Sequence, residues 1–171
     1  MASPSSSSSS IPAKKYDVFL SFRGEDTRDS FTSHLRDALR RKKINLYTDH
    51  RLEKGDEISL ALKRAIEDSK ISVIIFSENY ATSTWCLDEL AHILSCRELG
   101  ELGGQLVIPV FHRVDPSHVR KQQGSYAAAF AALEERFAER MDIVGRWRAA
   151  LTATTNLVGW SSSVTRLALI Y

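Results

Sequence analysis

The stretch YDVFLSFRGEDTR (residues 16–28) runs from an apolar strand-like segment through a polar turn into an amphipathic helical pattern. The same alternation of short apolar runs and helical segments continues along the chain. This order predicts a parallel sheet covered by helices on both faces. We therefore expect an α/β protein with a flavodoxin-like, four- to five-stranded parallel sheet.

The pattern predicts the bounds of most elements. The predicted strands are Tyr16–Phe22, Ile44–Tyr47, Ile71–Phe76 and Leu106–Phe111, with a fifth that is weak or missing after Val144. The predicted helices are Thr27–Arg41, Glu57–Asp68, Thr84–Leu99, Tyr126–Glu139 and Asp142–Leu157. Residues 1–14 are predicted to be a disordered serine-rich tail, residues 15–160 one domain and residues 161–171 a C-terminal tail.

Composition excludes several classes of protein. The chain has 171 residues, 43% hydrophobic and 26% charged, which is typical of one globular domain. A net charge of +2 is too small to indicate dedicated nucleic-acid binding, and no apolar run reaches the roughly 20 residues that a membrane span needs. The serine-rich start has no apolar segment typical of a secretory signal. Cys86 and Cys96 lie too far apart on one predicted helix for a disulfide, so we expect reduced thiols and a cytoplasmic location.

The topology predicts where a ligand binds. In such sheets, ligands lie beyond the carboxyl ends of the strands where the connections change direction, here between the first and third strands. The loop after the first strand holds Arg23, whose guanidinium suits phosphate, and Gly24, which permits a tight turn. Asp26 or Thr27 can cap the next helix. A surface arginine and a capping aspartate are an equally good interpretation of this loop alone.

A second candidate segment begins the helix after the third strand. Trp85 and Glu89 are four residues apart, so a helix places them on one face. Helical projection gives a core stripe formed by Cys86, Leu87, Leu90, Ile93 and Leu94. Trp85 and Glu89 lie at the edge of that stripe, towards the predicted cleft. A packing tryptophan and an acid that offsets the helix dipole are the alternatives.

Four ordered motifs closely resemble plant TIR domains: the stretch at residues 16–28, SENY at 77–80, WCLDEL at 85–90 and VDPSHVR at 114–120. The similarity runs from about Lys15 to Trp160, and it implies the TIR fold. It also implies that Glu89 is the catalytic residue, that Trp85 stacks on the ligand, and that Ser33 and His34 mediate self-association. Further substrate-binding positions implied by the resemblance are Arg23, Gly24, Glu25, Asp26, Thr27, Arg28, Arg51 and Gly55.

Many plant TIR domains cleave NAD+ in immune signalling, so the resemblance implies a nucleosidase active in plant defence and cell death. The expected substrate is NAD+ or NADP+, the products are nicotinamide and linear or cyclic ADP-ribose, and no separate cofactor is needed. Expected partners are further copies of the chain and other TIR proteins, in the cytoplasm or nucleus. The chain resembles either a stand-alone TIR protein or the TIR portion of an immune receptor.

Two other functions remain open. One is a non-catalytic adaptor that recruits TIR domains, for which the Trp85 and Glu89 pair has no use. The other is a nucleic-acid-dependent cyclic nucleotide synthetase that involves Cys86, although Cys86 projects into the core stripe. A phosphate-binding loop of the G-x-x-x-x-G-K-[ST] type is absent. No metal site is predicted, because His112 and His118 flank Asp115 without a helical two-histidine spacing.

Overall fold

The computed structural model describes residues 13–48, 58–98 and 104–161. Its strands are β1 (Tyr16–Phe22), β2 (Leu46–Thr48), β3 (Ser69–Phe76), β4 (Leu106–Phe111) and β5 (Trp160–Ser161). Its helices are α1 (Gly24–Thr27), α2 (Phe31–Arg41), α3 (Leu60–Glu67), α4 (Thr84–Glu98), α5 (Pro116–Lys121), α6 (Ser125–Arg136) and α7 (Met141–Thr155). Short 310 turns lie at Tyr80–Thr82 and Ala138–Arg140. No helix in the described ranges is long and apolar enough to cross a membrane.

The five strands form one parallel sheet in the order β2-β1-β3-β4-β5. The predicted flavodoxin-like architecture is therefore confirmed, including the weak fifth strand. The chain moves one way across the sheet from β1 to β2 and the other way in its later steps. Right-handed crossovers then place α2 on one face and the later helices on the other. The change of direction lies between β1 and β3, as the sequence predicts.

The predicted helix Thr27–Arg41 is wrong at its beginning. The chain forms the single turn α1, breaks at Ser30, whose φ of −130° and ψ of −105° are not helical, and restarts as α2. The break follows from burial of Thr27, which is 1% exposed and accepts a 2.8 Å hydrogen bond from Thr32 Oγ1. Because the Thr27 side chain is buried, the chain turns away from a continuous helix here.

The predicted strand Ile44–Tyr47 begins two residues too early. Lys43 has a φ of +58°, and the Ile44 amide donates to the Leu39 carbonyl at 3.2 Å, so these residues close the end of α2. The hydrogen bonds that close α2 therefore involve Ile44, the first residue of the predicted strand. Only Leu46–Thr48 remain to form β2.

Helix α5 is missing from the sequence prediction, although its start signals are present. Asp115 accepts from the Ser117 amide at 2.7 Å, and Pro116 occupies the first turn. Aspartate before proline is a favourable helix start, but six residues are too few to give a clear periodicity. The helix ends at Gln122, whose φ is +48°.

The main core lies between the sheet and the later helices. Phe19, Ile74 and Phe76 point into it and are fully buried, as is Trp147 of α7 at 1% exposure. On the α2 face, Ile71 and Val73 are only partly buried, whereas Leu20 and Ile75 are fully buried. The main core includes residues of α4, the helix that carries the candidate catalytic acid.

Candidate active site

The loop after β1 is held by ion pairs among its own residues. Arg23 Nη1 lies 2.5 Å from Asp26 Oδ1, and Arg23 Nη2 pairs with Glu25. Partial burial acts to lower the pKa of Arg23, but the two carboxylates outweigh it and raise that pKa. Both terminal nitrogens of the predicted phosphate ligand are thus engaged within the loop, so a phosphate has to compete with these two acids.

Asp26 joins this loop to the one that follows β3. Its Oδ2 accepts from Ser77 Oγ at 2.6 Å and from the Asn79 amide at 3.1 Å. Burial acts to raise the pKa of Asp26, but the hydrogen bond from Ser77 and the charge of Arg23 hold it below its usual value. The loops after β1 and β3 therefore converge, as the sequence predicts. Asp26 links them instead of serving only as a helix cap.

Arg28 lies against the backbone of the β1 loop. A Cβ at Gly24 would lie 2.5 Å from Arg28 Nη2, so the absence of a side chain at Gly24 lets the guanidinium occupy this place. Arg28 Nε is buried and has no hydrogen-bond partner within the described residues. Because this atom is covered, a ligand reaches the Arg28 guanidinium only after the side chain moves.

Hydrogen bonds connect the beginning of α4 to the end of β1. Tyr80 OH donates to the Cys86 carbonyl at 3.0 Å and lies 3.2 Å from Ser21 Oγ. Cys86 Sγ lies 3.7 Å from the Phe22 carbonyl, and Ser83 Oγ accepts from the Cys86 amide at 3.2 Å. Cys86 is fully buried, in agreement with its predicted place in the core stripe.

Glu89 lies one turn further along α4 and is only 4% exposed. Burial raises the pKa of Tyr80 well above its usual value, and the charges of Cys86 and Glu89 raise it further. Glu89 follows Cys86 by three residues on α4, so it lies about one turn from the contact between Cys86 and Phe22, the last residue of β1. Its neighbour Asp88 points elsewhere and accepts from Trp147 Nε1 at 2.8 Å. Of two adjacent acids, Asp88 packs α4 on α7, and Glu89 is buried.

Trp85 is 8% exposed and belongs to the main core cluster. The five residues predicted as the core stripe of α4 are all buried, but Trp85 and Glu89 are buried almost as deeply. The physical reason is that α4 packs against α3, α7 and the sheet together, so its buried arc is wider than projection of an isolated helix indicates. The indole offers little open surface for stacking in this conformation.

Ser33 and His34 lie on α2, on the face of the sheet opposite to α4. Ser33 Oγ donates to the Ser30 carbonyl at 2.8 Å, whereas the His34 side chain is exposed. His34 lines a cavity of about 490 Å³ that also includes Asp26 and His112. Arg51 and Gly55, the other implied ligand contacts, lie outside the described residues, as do nearly all of the two predicted tails.

Residues that support this site were missed as site residues by the sequence analysis. Tyr126 OH donates to the Ser77 carbonyl at 2.8 Å, and Ser125 Oγ donates to the Glu78 carbonyl at 2.7 Å. These bonds hold the β3 loop from the start of α6. Tyr80 belongs to the SENY motif, but its position in the sequence does not predict that its hydroxyl joins α4 to β1.

Comparisons with known proteins agree with this architecture. A family model described as the TIR domain matches residues 15–168. Disease resistance protein RPV1 of Vitis rotundifolia is 55% identical over 93% of the chain, and TMV resistance protein N of Nicotiana glutinosa is 50% identical over 90%. The chain spans only 11% and 13% of these relatives' lengths.

A solved structure is also similar. It is described as the TIR domains of the activated Roq1 resistosome directly recognizing the pathogen effector XopQ. Its TM-score is 0.79 at 46% identity, and the match covers 92% of this chain and all of that one.

Proposed function

The chain belongs to the TIR domain family, and we propose that it is an NAD+ nucleosidase that breaks the bond between nicotinamide and ribose. The observation that carries the proposal is the burial of Glu89 on α4, about one turn after Cys86, whose Sγ lies 3.7 Å from the carbonyl of Phe22 at the end of β1. NADP+ is a further candidate substrate. The proposed setting is plant immune and cell-death signalling, since the similar proteins are plant disease resistance proteins.

One carboxylate is sufficient for this reaction. Nicotinamide in NAD+ is a pyridinium cation and leaves as a neutral molecule, so no general acid has to protonate it, unlike the leaving group of an ordinary glycoside. As the bond lengthens, positive charge develops on the ribose. A carboxylate held in a site with little water stabilises that charge more strongly than one in bulk solvent. Glu89 is the group proposed for this role.

Substrate would be positioned by the β1 loop. Arg28 is a proposed contact for the pyrophosphate once its guanidinium moves away from Gly24, because its Nε is buried there. Arg23 would exchange Glu25 or Asp26 for phosphate, because both of its terminal nitrogens are engaged. Trp85 would stack on the ligand only after its ring becomes more exposed, since 8% of the residue is accessible.

Self-association is proposed to activate the enzyme. The similar Roq1 structure is described as an activated resistosome, and that description suggests assembly for this chain as well. His34 is exposed on α2 and Ser33 is beside it, so both are available to a second copy. Their proposed role is to pack α2 against α2 of a neighbouring TIR domain.

The test compares Glu89→Gln with Glu98→Gln, which removes an exposed acid from the end of the same helix. Purified proteins are incubated with NAD+ at several protein concentrations, and nicotinamide and ADP-ribose products are quantified by mass spectrometry. Loss of charge stabilisation at the transition state is expected to lower kcat by about 10²–10³-fold in Glu89→Gln. Glu98→Gln should keep wild-type turnover, and circular dichroism should show that both variants are folded.

Wild-type turnover in Glu89→Gln would refute the assignment of the acid. The second candidate function is a non-catalytic adaptor, and the internal pairing of Arg23 and the covered ring of Trp85 favour it. It predicts a wild-type protein that forms oligomers yet releases no nicotinamide at any concentration.

A further inference from the structure

A cluster of three possible metal ligands lies away from the candidate active site, where the end of α3 meets the middle of α4. His92 and Cys96 are four residues apart on α4, so they lie on one face of the helix. Glu67, the last residue of α3, lies opposite them. One ligand atom from each of the three lies within 4.8 Å of the other two, and Glu67 Oε1 is 3.0 Å from His92 Nε2.

We propose that Glu67, His92 and Cys96 bind a divalent transition-metal ion of the zinc class. Imidazole, thiolate and carboxylate are the donor groups that Zn²⁺ takes in proteins. Bond lengths of about 2.0–2.3 Å at tetrahedral angles require ligand atoms about 3.3–3.7 Å apart. The present separations, none above 4.8 Å, reach that range by side-chain movements of about 1 Å that keep the helices in place.

The cluster is accessible and leaves room for a fourth ligand. The side chains of Glu67 and His92 are 53% and 21% exposed. Of the three ligands, only His92 lines the neighbouring cavity of about 450 Å³, so a water that completes a tetrahedral site enters along the exposed sides of Glu67 and His92. On binding, the ion replaces the contact between Glu67 and His92, and the Cys96 thiol releases its proton to solvent.

The local charges are compatible with such an ion. Burial raises the pKa of Cys96, and the Glu67 charge raises it further. Lys14 Nζ donates to the Glu67 carbonyl and leaves the carboxylate to His92. The cavity beside His92 is also lined by Lys63, Arg140 and Arg146. Two acidic or acid-forming ligands and one neutral imidazole bring a net charge of −2 to a +2 ion.

The sequence analysis missed this cluster because one ligand comes from another helix. Glu67 precedes His92 by 25 residues, and only the packing of α3 on α4 brings them together. The four-residue spacing of His92 and Cys96 is the sequence signal that could have revealed the cluster. The inference is independent of NAD+ cleavage, since it concerns neither Glu89 nor the loops after β1 and β3.

Cobalt provides the direct test, because a thiolate bound to Co²⁺ gives a charge-transfer band in the near ultraviolet. The reduced 171-residue chain is titrated with Co²⁺ and then with Zn²⁺ as a competitor. We expect a band that saturates at one equivalent and is removed by Zn²⁺. Cys96→Ser should abolish the band although Cys86 remains, and His92→Ala and Glu67→Gln should weaken binding by at least about tenfold.

Two matched controls remove exposed groups of the same kinds elsewhere, His118→Ala and Glu139→Gln, and both should bind Co²⁺ like the wild type. Zn²⁺ at about 100 times its Kd is expected to raise the Tm of the wild type by roughly 5–10 °C, reversibly with a chelator. That rise should be absent in Cys96→Ser. No band in the wild type, a band retained in Cys96→Ser, or an equal rise in Tm in both proteins would overturn the proposal.

Discussion

At the scale of single residues, neighbouring acids of similar chemistry have different roles because their surroundings differ. Asp88 binds the indole of Trp147, whereas Glu89 is 4% exposed. Asp26, which a sequence pattern assigns to helix capping, joins two loops instead. Because Asp26 makes these contacts as a carboxylate, the free energy of unfolding depends on its ionisation.

Asp26→Asn is the residue-scale test of that link. The change removes the negative charge that faces Arg23 and leaves one amide group to serve donors from Ser77 and Asn79. Loss of charge-assisted hydrogen bonds should lower the free energy of unfolding by about 1–3 kcal/mol at neutral pH. Urea denaturation followed by tryptophan fluorescence measures this difference.

The effect of Asp26→Asn should depend on pH with a definite sign. Because the pKa of Asp26 is lowered in the folded state, its stabilisation is fully present above the unfolded pKa of about 3.9 and is lost as pH falls through the folded pKa. The difference between wild type and Asp26→Asn should thus be constant above about pH 5 and shrink below about pH 4. A difference that grows in acid would contradict this interpretation of Asp26.

At the scale of elements, the sequence predicted what periodicity and topology determine and missed what tertiary contacts determine. The parallel order, the core stripe from Cys86 to Leu94 and the meeting of the β1 and β3 loops follow from pattern alone. The burial of Trp85 depends on neighbours distant in the sequence, and the break at Ser30 depends on a buried contact between Thr27 and Thr32 that periodicity does not reveal. Short elements such as α5 give too few residues for a periodic signal.

Helix α3 depends on its N-cap, and this gives a prediction at the element scale. Ser59 Oγ accepts from the Leu62 amide at 3.2 Å, at the beginning of a helix whose Leu62 and Ile66 are buried in the core. Ser59→Ala removes the acceptor and should lower the free energy of unfolding by about 0.5–2 kcal/mol. Thermal and urea unfolding report the change.

Ser59→Asp is the matched control, because aspartate also caps helices and its charge favours the N-terminal end of the dipole. It should retain the stability that Ser59→Ala loses. Equal destabilisation by both substitutions would show that packing of the serine, and not its hydrogen bond, stabilises the start of α3.

At the scale of the whole molecule, the two faces of the sheet carry residues with different proposed functions. The candidate catalytic acid lies in the layer of α4, whereas Ser33 and His34 lie on α2 across the sheet. His34 of α2 and Asp26 of the β1 loop line the same cavity, so a contact made by α2 reaches the loop proposed to bind substrate. Such a contact gives assembly a route by which to control activity.

If assembly activates the enzyme, NAD+ cleavage should rise faster than linearly with protein concentration. Where dimers are scarce, doubling the concentration of chain should increase the rate of nicotinamide release about fourfold, because the amount of dimer follows the square of the monomer concentration. His34→Glu places a charge on the exposed surface of α2 and should require a higher concentration for the same specific activity. His118→Glu alters an exposed histidine on α5 and should follow the wild-type curve.

Analytical ultracentrifugation on the same samples separates assembly from catalysis. His34→Glu should shift the association equilibrium and the activity curve by the same factor, and at saturating concentration its turnover should approach that of the wild type, because Glu89 and its surroundings are unchanged. A rate strictly proportional to protein concentration would mean that a single copy contains the complete site. In that case Ser33 and His34 would have no part in activation.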